Sequence, residues 1–351
     1  MQRTIPQEIS GSQILAHGAI EAGVQFVTGY PGSPSTSVVD ALKHLVGDQM
    51  RIEWAINEKS AFDTAFGASL AGMRALLCLK SVGLNVALDS LMVSNLAAGD
   101  GGFVLLVGDD PGGWGSQNEE DSRPLVAAAE VPLLEPVCVQ DAQPVMEQAF
   151  HLSERFRIPV AVRMTRAMAL ARGPVAPEPL LKQSPRQGSF ERQGDRFNVL
   201  PIHVVDRHRE LQAAVNGVQS LFETSTLNRR EGHGEAGVVA AGFAYQKVRD
   251  VLARSGHPPL SLLGLGTLHP LPEEQVADYL RSVGAVLVLE ETAPYLETHV
   301  QALAQRAGLA LPVCGRLSGH VPRAGELFER QIAAALGGLI RLGEGHPFEA
   351  V

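Results

Sequence analysis

Short apolar runs recur along this chain with helix-length stretches between them. They fall at 24–28, 52–55, 75–79, 103–107, 133–136 and 160–164, then again at 237–241, 261–264, 285–290 and 311–315. A run such as Phe103-Val104-Leu105-Leu106-Val107 shows no polar alternation, so both of its faces must be covered. Strands separated by a helix pair in parallel through right-handed crossovers, and the crossover helices supply that cover. The expected helices are 10–22, 36–45, 58–71, 84–97, 124–130 and 142–156, followed by 245–255, 273–283, 296–307 and 325–336. In the first of them Leu15, Ala19 and Ala22 share one face, and Gly23 offers a stop. The expected fold class is therefore α/β, with two doubly wound parallel-sheet domains at 1–170 and 233–351. Between them, 171–232 gathers Pro, Gln, Arg and Ser and reads as a linker with one helix near 209–222.

Charge and cysteine usage close off several functions. Acidic residues outnumber basic ones by 38 to 29, a net charge of −9, which argues against a chain built to grip phosphate backbones, so no nucleic acid is expected as partner. Cys78, Cys138 and Cys314 are odd in number, far apart and without a CxxC pair. Neither a disulfide framework nor a cysteine-ligated iron–sulfur cluster follows from such a set. No apolar run approaches the ~20 residues that cross a bilayer, and 1–10 is polar, so the expectation is a cytoplasmic chain without membrane attachment.

Two features could carry chemistry. The turn Tyr30-Pro31-Gly32-Ser33-Pro34 follows the first of the parallel strands, where open α/β sheets bind ligands, with Ser35 or Thr36 placed to cap the next helix. It could also be no more than a tight turn. Glu58 opens a helix with small residues on its inner face, including Ala61, Ala65, Ala68, Gly67 and Gly72, so another backbone or a flat ring could approach closely. The competing reading is a glutamate that only complements the helix dipole. Three further patterns carry less. Gly99-Asp100-Gly101 precedes a strand and reads as a plain turn, His203, His208 and His233 lack metal-ligand spacing, and Asp109-Asp110 with Glu119-Glu120-Asp121 reads as a solvated acidic loop rather than a metal site.

Taken in order, the motifs of this chain resemble a known family. Tyr30-Pro31-Gly32-Ser33-Pro34-Ser35-Thr36, Asn57-Glu58-Lys59, Val82-Gly83-Leu84-Asn85 and Asp109-Asp110-Pro111-Gly112 through Ser116-Gln117-Asn118-Glu119 are similar to the α subunits of indolepyruvate ferredoxin oxidoreductase-like enzymes. These are thiamine-diphosphate 2-oxoacid:acceptor oxidoreductases. Gly242 with Tyr245, Leu265-Gly266-Thr267, Glu290-Glu291 and Val321-Pro322-Arg323 resemble their transketolase-C-terminal-like module. The resemblance implies a thiamine-diphosphate pyrimidine-binding fold followed by that module. It implies that Glu58 hydrogen-bonds the cofactor's aminopyrimidine and so promotes loss of the thiazolium proton. Tyr30, Pro31, Gly32, Ser33, Gly83 and Asn85 become cofactor-binding residues, with Ser33 also facing substrate.

The resemblance further implies oxidative decarboxylation of a 2-oxoacid, an aryl one by analogy with indolepyruvate, with coenzyme A taking the acyl group. Thiamine diphosphate is then shared with a diphosphate-binding partner subunit that carries Mg²⁺. Iron–sulfur clusters are expected on a ferredoxin-like partner, in a hetero-oligomer with two or more copies. Where pyruvate-specific relatives carry a carboxylate-binding arginine, this chain has Asp110, and Arg123 is the substitute expected. A non-oxidative thiamine-diphosphate decarboxylase subunit, or a non-catalytic CoA- or nucleotide-binding α/β protein, are the alternatives.

Overall fold

The computed structural model describes residues 7–97, 99–175, 188–190, 197–254 and 260–343. The first part comprises β1 (Gln7–Ser10), α1 (Gly11–Glu21), β2 (Phe26–Gly29), α2 (Thr36–Val46), β3 (Arg51–Trp54), α3 (Glu58–Leu70), β4 (Ala75–Lys80), α4 (Ser81–Ser94) and β5 (Phe103–Asp109). It continues with α5 (Arg123–Ala128), β6 (Leu133–Leu134), α6 (Ala142–Phe156), β7 (Val160–Thr165), α7 (Arg166–Leu170), β8 (Arg172–Val175) and α8 (Val204–Phe222). The second part comprises β9 (Arg229–Glu231), β10 (Ala236–Ala241), α9 (Ala244–Arg254), β11 (Ser261–Leu265), β12 (Thr267–His269), α10 (Glu273–Arg281), β13 (Ala285–Leu289), α11 (Tyr295–Arg306), β14 (Val313–Cys314) and α12 (Glu329–Gly343). Much of the polar tract in the expected linker, and the end of the expected helix 245–255, lie outside the described residues.

The larger sheet has the order β12-β6-β7-β5-β4-β2-β3 and the smaller one β14-β13-β10-β11-β9. The apolar strands pair in parallel, as their unbroken hydrophobicity demands. In β5 the side chains alternate between two cores: Val104 and Leu106 join α1, α2 and α6, whereas Phe103, Leu105 and Val107 join α3 and α4. The α3/α4 core does not stop at the domain boundary but runs on into Val239, Leu263, Leu268 and Tyr279 of the second part. Local chemistry sets the helix ends. Ser10 and Gln13 form a capping box at the start of α1, and Gly23 follows it in the left-handed region at φ 66°.

Antiparallel pieces join the parallel ones. β1 pairs with β8, β9 pairs with β11, and β12 leaves the second part to pair with β6 of the first sheet. β8 and β9 both fall inside the stretch read as a linker with one helix. α8 starts earlier than the expected 209, and its Leu211, Val218 and Phe222 are buried in the first core. No helix among the described residues is long and apolar enough to cross a membrane.

Candidate active site

The strand order reverses at β2, which has β3 on one side and β4 on the other. A crevice outside the carboxyl ends of β2 and β4 is where a doubly wound sheet binds its ligand. The 30–36 turn reaches it from β2, Glu58 from β3, Lys80 and Gly83 from β4, and the 110–121 loop from β5.

The turn is held by its own hydroxyls. Gly32 N–H donates to Thr36 Oγ1 at 2.7 Å, while Ser35 Oγ and Thr36 Oγ1 donate back to the Gly32 carbonyl at 2.9 and 3.0 Å. These hydroxyls were expected to cap α2, but Ser35, at the cap position, makes no side-chain cap bond and serves the turn instead. Pro34 lies on Gly108, where an added Cβ would stand 2.9 Å from Pro34 Cδ. Tyr30, Pro31 and Ser33 remain exposed at the mouth.

Glu58 is placed by Asn57, whose extended backbone and Oδ1, accepting from Ser60 N–H at 2.8 Å, cap α3. Helices α3 and α4 lie side by side, joined by the Lys59–Asp89 ion pair and by Ser90 Oγ donating to Asp63 at 2.6 Å. A Cβ on Gly83 would come within 2.7 Å of Glu58 Cγ and 2.8 Å of its Oε1, so the glycine leaves the space that the carboxylate fills. Glu58 is half-buried, and among the described residues nothing donates a hydrogen bond to it. A partly desolvated acceptor without a donor is costly, which suits a ligand that brings a ring nitrogen with a proton to share. Asn85 is exposed on α4, and Tyr30, Ile56 and Val86 are large apolar side chains left exposed. Gly67 and Gly72, expected to admit a close neighbour, face open space in this chain.

Lys80 is the site residue that motif reading missed, although it stands two positions before the Val82-Gly83-Leu84-Asn85 motif. Its stem lies along Gly32, and its Nζ donates to the Gly115 carbonyl at 2.8 Å. The loop that carries Gly115 is folded by Asp110, whose Oδ2 accepts from Gly115 N–H at 2.7 Å and Ser116 Oγ at 2.6 Å. Asp109, Asp110 and Asp121 are all buried or nearly so. The loop was expected to be solvated, and Glu119 is exposed, but the three aspartates are turned to protein partners.

Arg123 does not face the crevice. It is fully buried, with Nε and Nη2 on Asp121, Nη1 on Glu290 at 2.7 Å, and further bonds to the Glu291 and Ala293 carbonyls. The substrate-carboxylate role expected for it is incompatible with that commitment. Burial pushes the Asp121 carboxyl up, but the Arg123 guanidinium beside it brings it below the usual carboxylate range. Gly99-Asp100-Gly101 sits before β5, at the sheet edge opposite the crevice, with Ser69 Oγ on the Gly101 carbonyl. His208 pairs with Glu130, and no group of three or more His, Cys, Asp or Glu among the described residues is set to hold a metal ion.

Comparison with known proteins bears on the family and the fold. The family model for pyruvate flavodoxin/ferredoxin oxidoreductase, thiamine diP-binding, matches residues 17–218. Indolepyruvate oxidoreductase subunit IorA of Archaeoglobus fulgidus is 36% identical over 337 residues, covering 93% of this chain and 53% of that protein. The chain thus spans about half the length of the curated relatives it matches. Its structure superposes on 2-oxoglutarate:ferredoxin oxidoreductase from Magnetococcus marinus, solved with 2-oxoglutarate, coenzyme A and succinyl-CoA bound, at TM-score 0.75 and 16% identity, over 98% of this chain and 66% of that one. A split gene transketolase, an inactive β4 tetramer, superposes at TM-score 0.59 and 16% identity, over 95% of this chain and 99% of the other. These two likenesses show the fold: a pyrimidine-binding domain joined to a transketolase-C-terminal-like one. With more than half its length matched by the family model, the chain belongs to the thiamine-diphosphate-binding pyruvate flavodoxin/ferredoxin oxidoreductase family.

Proposed function

We propose that this chain supplies the pyrimidine-binding side of the active site in a 2-oxoacid:ferredoxin oxidoreductase complex acting on an aryl 2-oxoacid. The observation that carries this reading is the half-buried Glu58 carboxylate, seated on Gly83 and without a donor among the described residues. When bound, thiamine diphosphate supplies a carbon nucleophile for the 2-oxo group and takes up the electrons left by loss of CO₂. Glu58 shares a proton with a ring nitrogen of the aminopyrimidine. Gly83 leaves the room in which the Glu58 carboxylate sits, while Tyr30, Pro31 and Gly32 form the wall and Ser33 faces the substrate. Asn85 lies on the cofactor side of α4.

A partner subunit binds the diphosphate and Mg²⁺, and an iron–sulfur partner removes two electrons singly. Coenzyme A takes the acyl group, so 2-oxoacid, coenzyme A and two oxidised ferredoxins give acyl-CoA, CO₂, a proton and two reduced ferredoxins. The identity to IorA supports the aryl substrate and the subunit role. The three cysteines support clusters held elsewhere, since each is free, buried and separate in sequence. The test is ferredoxin reduction by the chain co-purified with its native partners. We expect dependence on thiamine diphosphate and coenzyme A, and preference for indolepyruvate or phenylpyruvate over pyruvate. Activity independent of the cofactor, or none with any 2-oxoacid, overturns the proposal.

A further inference from the structure

We infer that Lys80 binds the carboxylate of the 2-oxoacid, an assignment that rests on the function proposed above. A 2-oxoacid enters as an anion, and a cleft that strips it of water must offer a cation or leave the charge uncompensated. Arg123 is excluded because its guanidinium is buried between Asp121 and Glu290. Arg166 is stacked on the ring of Trp114, 5.2 Å from its centroid, on the 110–121 loop.

Lys80 is a cation inside the crevice. An added Cβ on Gly32 would stand 3.0 Å from Lys80 Cβ and 3.3 Å from its Cδ, so the lysine stem lies against the turn that carries Ser33. The chain then reaches across to the Gly115 carbonyl, and an added Cβ on Gly115 would itself lie 3.9 Å from Ser33 Cβ. The lysine thus spans from the turn that carries Ser33 to the 110–121 loop, where its ammonium is held. That carbonyl is neutral, and among the described residues no carboxylate pairs with Lys80. The loop's own carboxylate, Asp110, is turned to Gly115 N–H and Ser116 Oγ. An ammonium has three donors, so two are left for a ligand. Lys80 is also the cap residue of α4 and makes no side-chain cap bond, so the positive end of that helix adds to the same potential.

The carboxylate loses its charge as CO₂ departs, so a cation holding it stabilises bound substrate more than the decarboxylation transition state. The role should therefore appear in KM more than in kcat. The experiment uses the complex assembled from all its subunits, with phenylpyruvate as substrate and ferredoxin reduction as readout. For Lys80→Met we expect KM to rise by roughly 10- to 100-fold, the range of a hydrogen bond to a charged group, with kcat changed only a few-fold. Lys80→Arg should recover most of the loss. Inhibition by 3-phenylpropionate should weaken in parallel, whereas inhibition by 3-phenylpropanamide should not.

If Lys80 only latches the 110–121 loop, acid and amide will weaken alike and kcat will fall with them, which overturns the inference. It is equally overturned if Arg166→Gln raises KM for phenylpyruvate and Lys80→Met does not. A wild-type complex without 2-oxoacid turnover overturns the proposed function and this assignment together. A wild-type complex that turns over 2-oxoacid, with a KM that Lys80→Met leaves unchanged, sinks the assignment alone.

Discussion

Glu58 and Gly83 act as a pair, one providing a carboxylate and the other the space it occupies. Glu58→Gln keeps the size and the hydrogen-bonding oxygen but cannot exchange a proton. In the assembled complex it should slow thiazolium proton exchange, followed by NMR, about 10²–10⁴-fold, which is roughly 3–5 kcal/mol of barrier. Loss of a charge from the first turn of α3 should cost the fold only about 0.3–1 kcal/mol. Gly83→Ala separates function from stability more sharply. Alanine favours a helix over glycine by about 1 kcal/mol, and the atoms its Cβ would meet belong to the movable Glu58 side chain. The variant should therefore melt at the same temperature or slightly higher, while turnover falls roughly 10²-fold because the carboxylate has swung away. Calorimetry beside steady-state kinetics checks both halves. Glu58 and Gly83 were legible in the sequence through their motifs. Arg123 was misread because a charge in a sequence does not announce its partner, and Glu290 lies 167 residues away. Lys80 was passed over because nothing in its neighbours shows that Gly32 lets its stem lie flat.

At the scale of elements, β12 is the piece whose placement has the largest consequence. It carries His269, whose Nε2 is buried without a hydrogen-bond partner, and burial lowers the imidazole pKa to about 4, with His299 adding to the effect. The folded state thus resists protonation that the unfolded chain accepts near 6.5. Stability from the neutral ring is complete above that value and is lost as pH falls from about 6.5 towards 4. Between pH 7 and 5 the loss should be about 2 kcal/mol. Urea unfolding of wild type and His269→Leu at both pH values should show that difference vanish in the variant. The parallel strands were readable because burial on both faces writes itself as an unbroken apolar run. β12 and β9 were not, since each has three residues and its partner comes from far along the chain. α4 begins at Ser81 rather than 84 because Gly83, which reads as a helix breaker, is there to admit Glu58. α12 begins at Glu329 rather than 325 because the preceding backbone is committed elsewhere, with Leu327 N–H on Glu291 of the same domain and Gly325 N–H on Glu119 of the first.

The two domains are joined by buried charge as well as by shared core. Arg123 reaches Glu290 across the seam, and on the first domain's side of it Arg163 places Nε on Asp109 at 2.6 Å and Nη1 on Glu135 at 2.7 Å, with its Nη2 donating to Thr292 Oγ1 of the second domain at 3.4 Å. Lys247 reaches Glu291 and Glu326, and Glu326 in turn accepts from Trp114 Nε1 at 2.9 Å. Burial alone would lower the Arg163 pKa, but Glu135 and the two aspartates more than offset it and hold the guanidinium charged. Glu135 also fills the space over Gly242, and Thr292, a β-branched residue, is held at φ 72° beside Arg163. A threonine stays in that left-handed conformation only where its surroundings fix it. Arg163→Met should therefore cost about 3–5 kcal/mol, because Asp109 and Glu135 are left buried and unpaired. Adding Glu135→Leu should return part of that loss, since a buried pair replaced by apolar groups is far less costly than one partner left alone. Urea unfolding of the two single variants and the double gives the coupling between them. Near-additive losses would mean that water already screens the pair. Asp109 is followed directly by Asp110, which folds the loop carrying Gly115, so loss of the Arg163 pairs should also reach the candidate site. Arg163→Met should lower turnover even at temperatures where the chain remains folded.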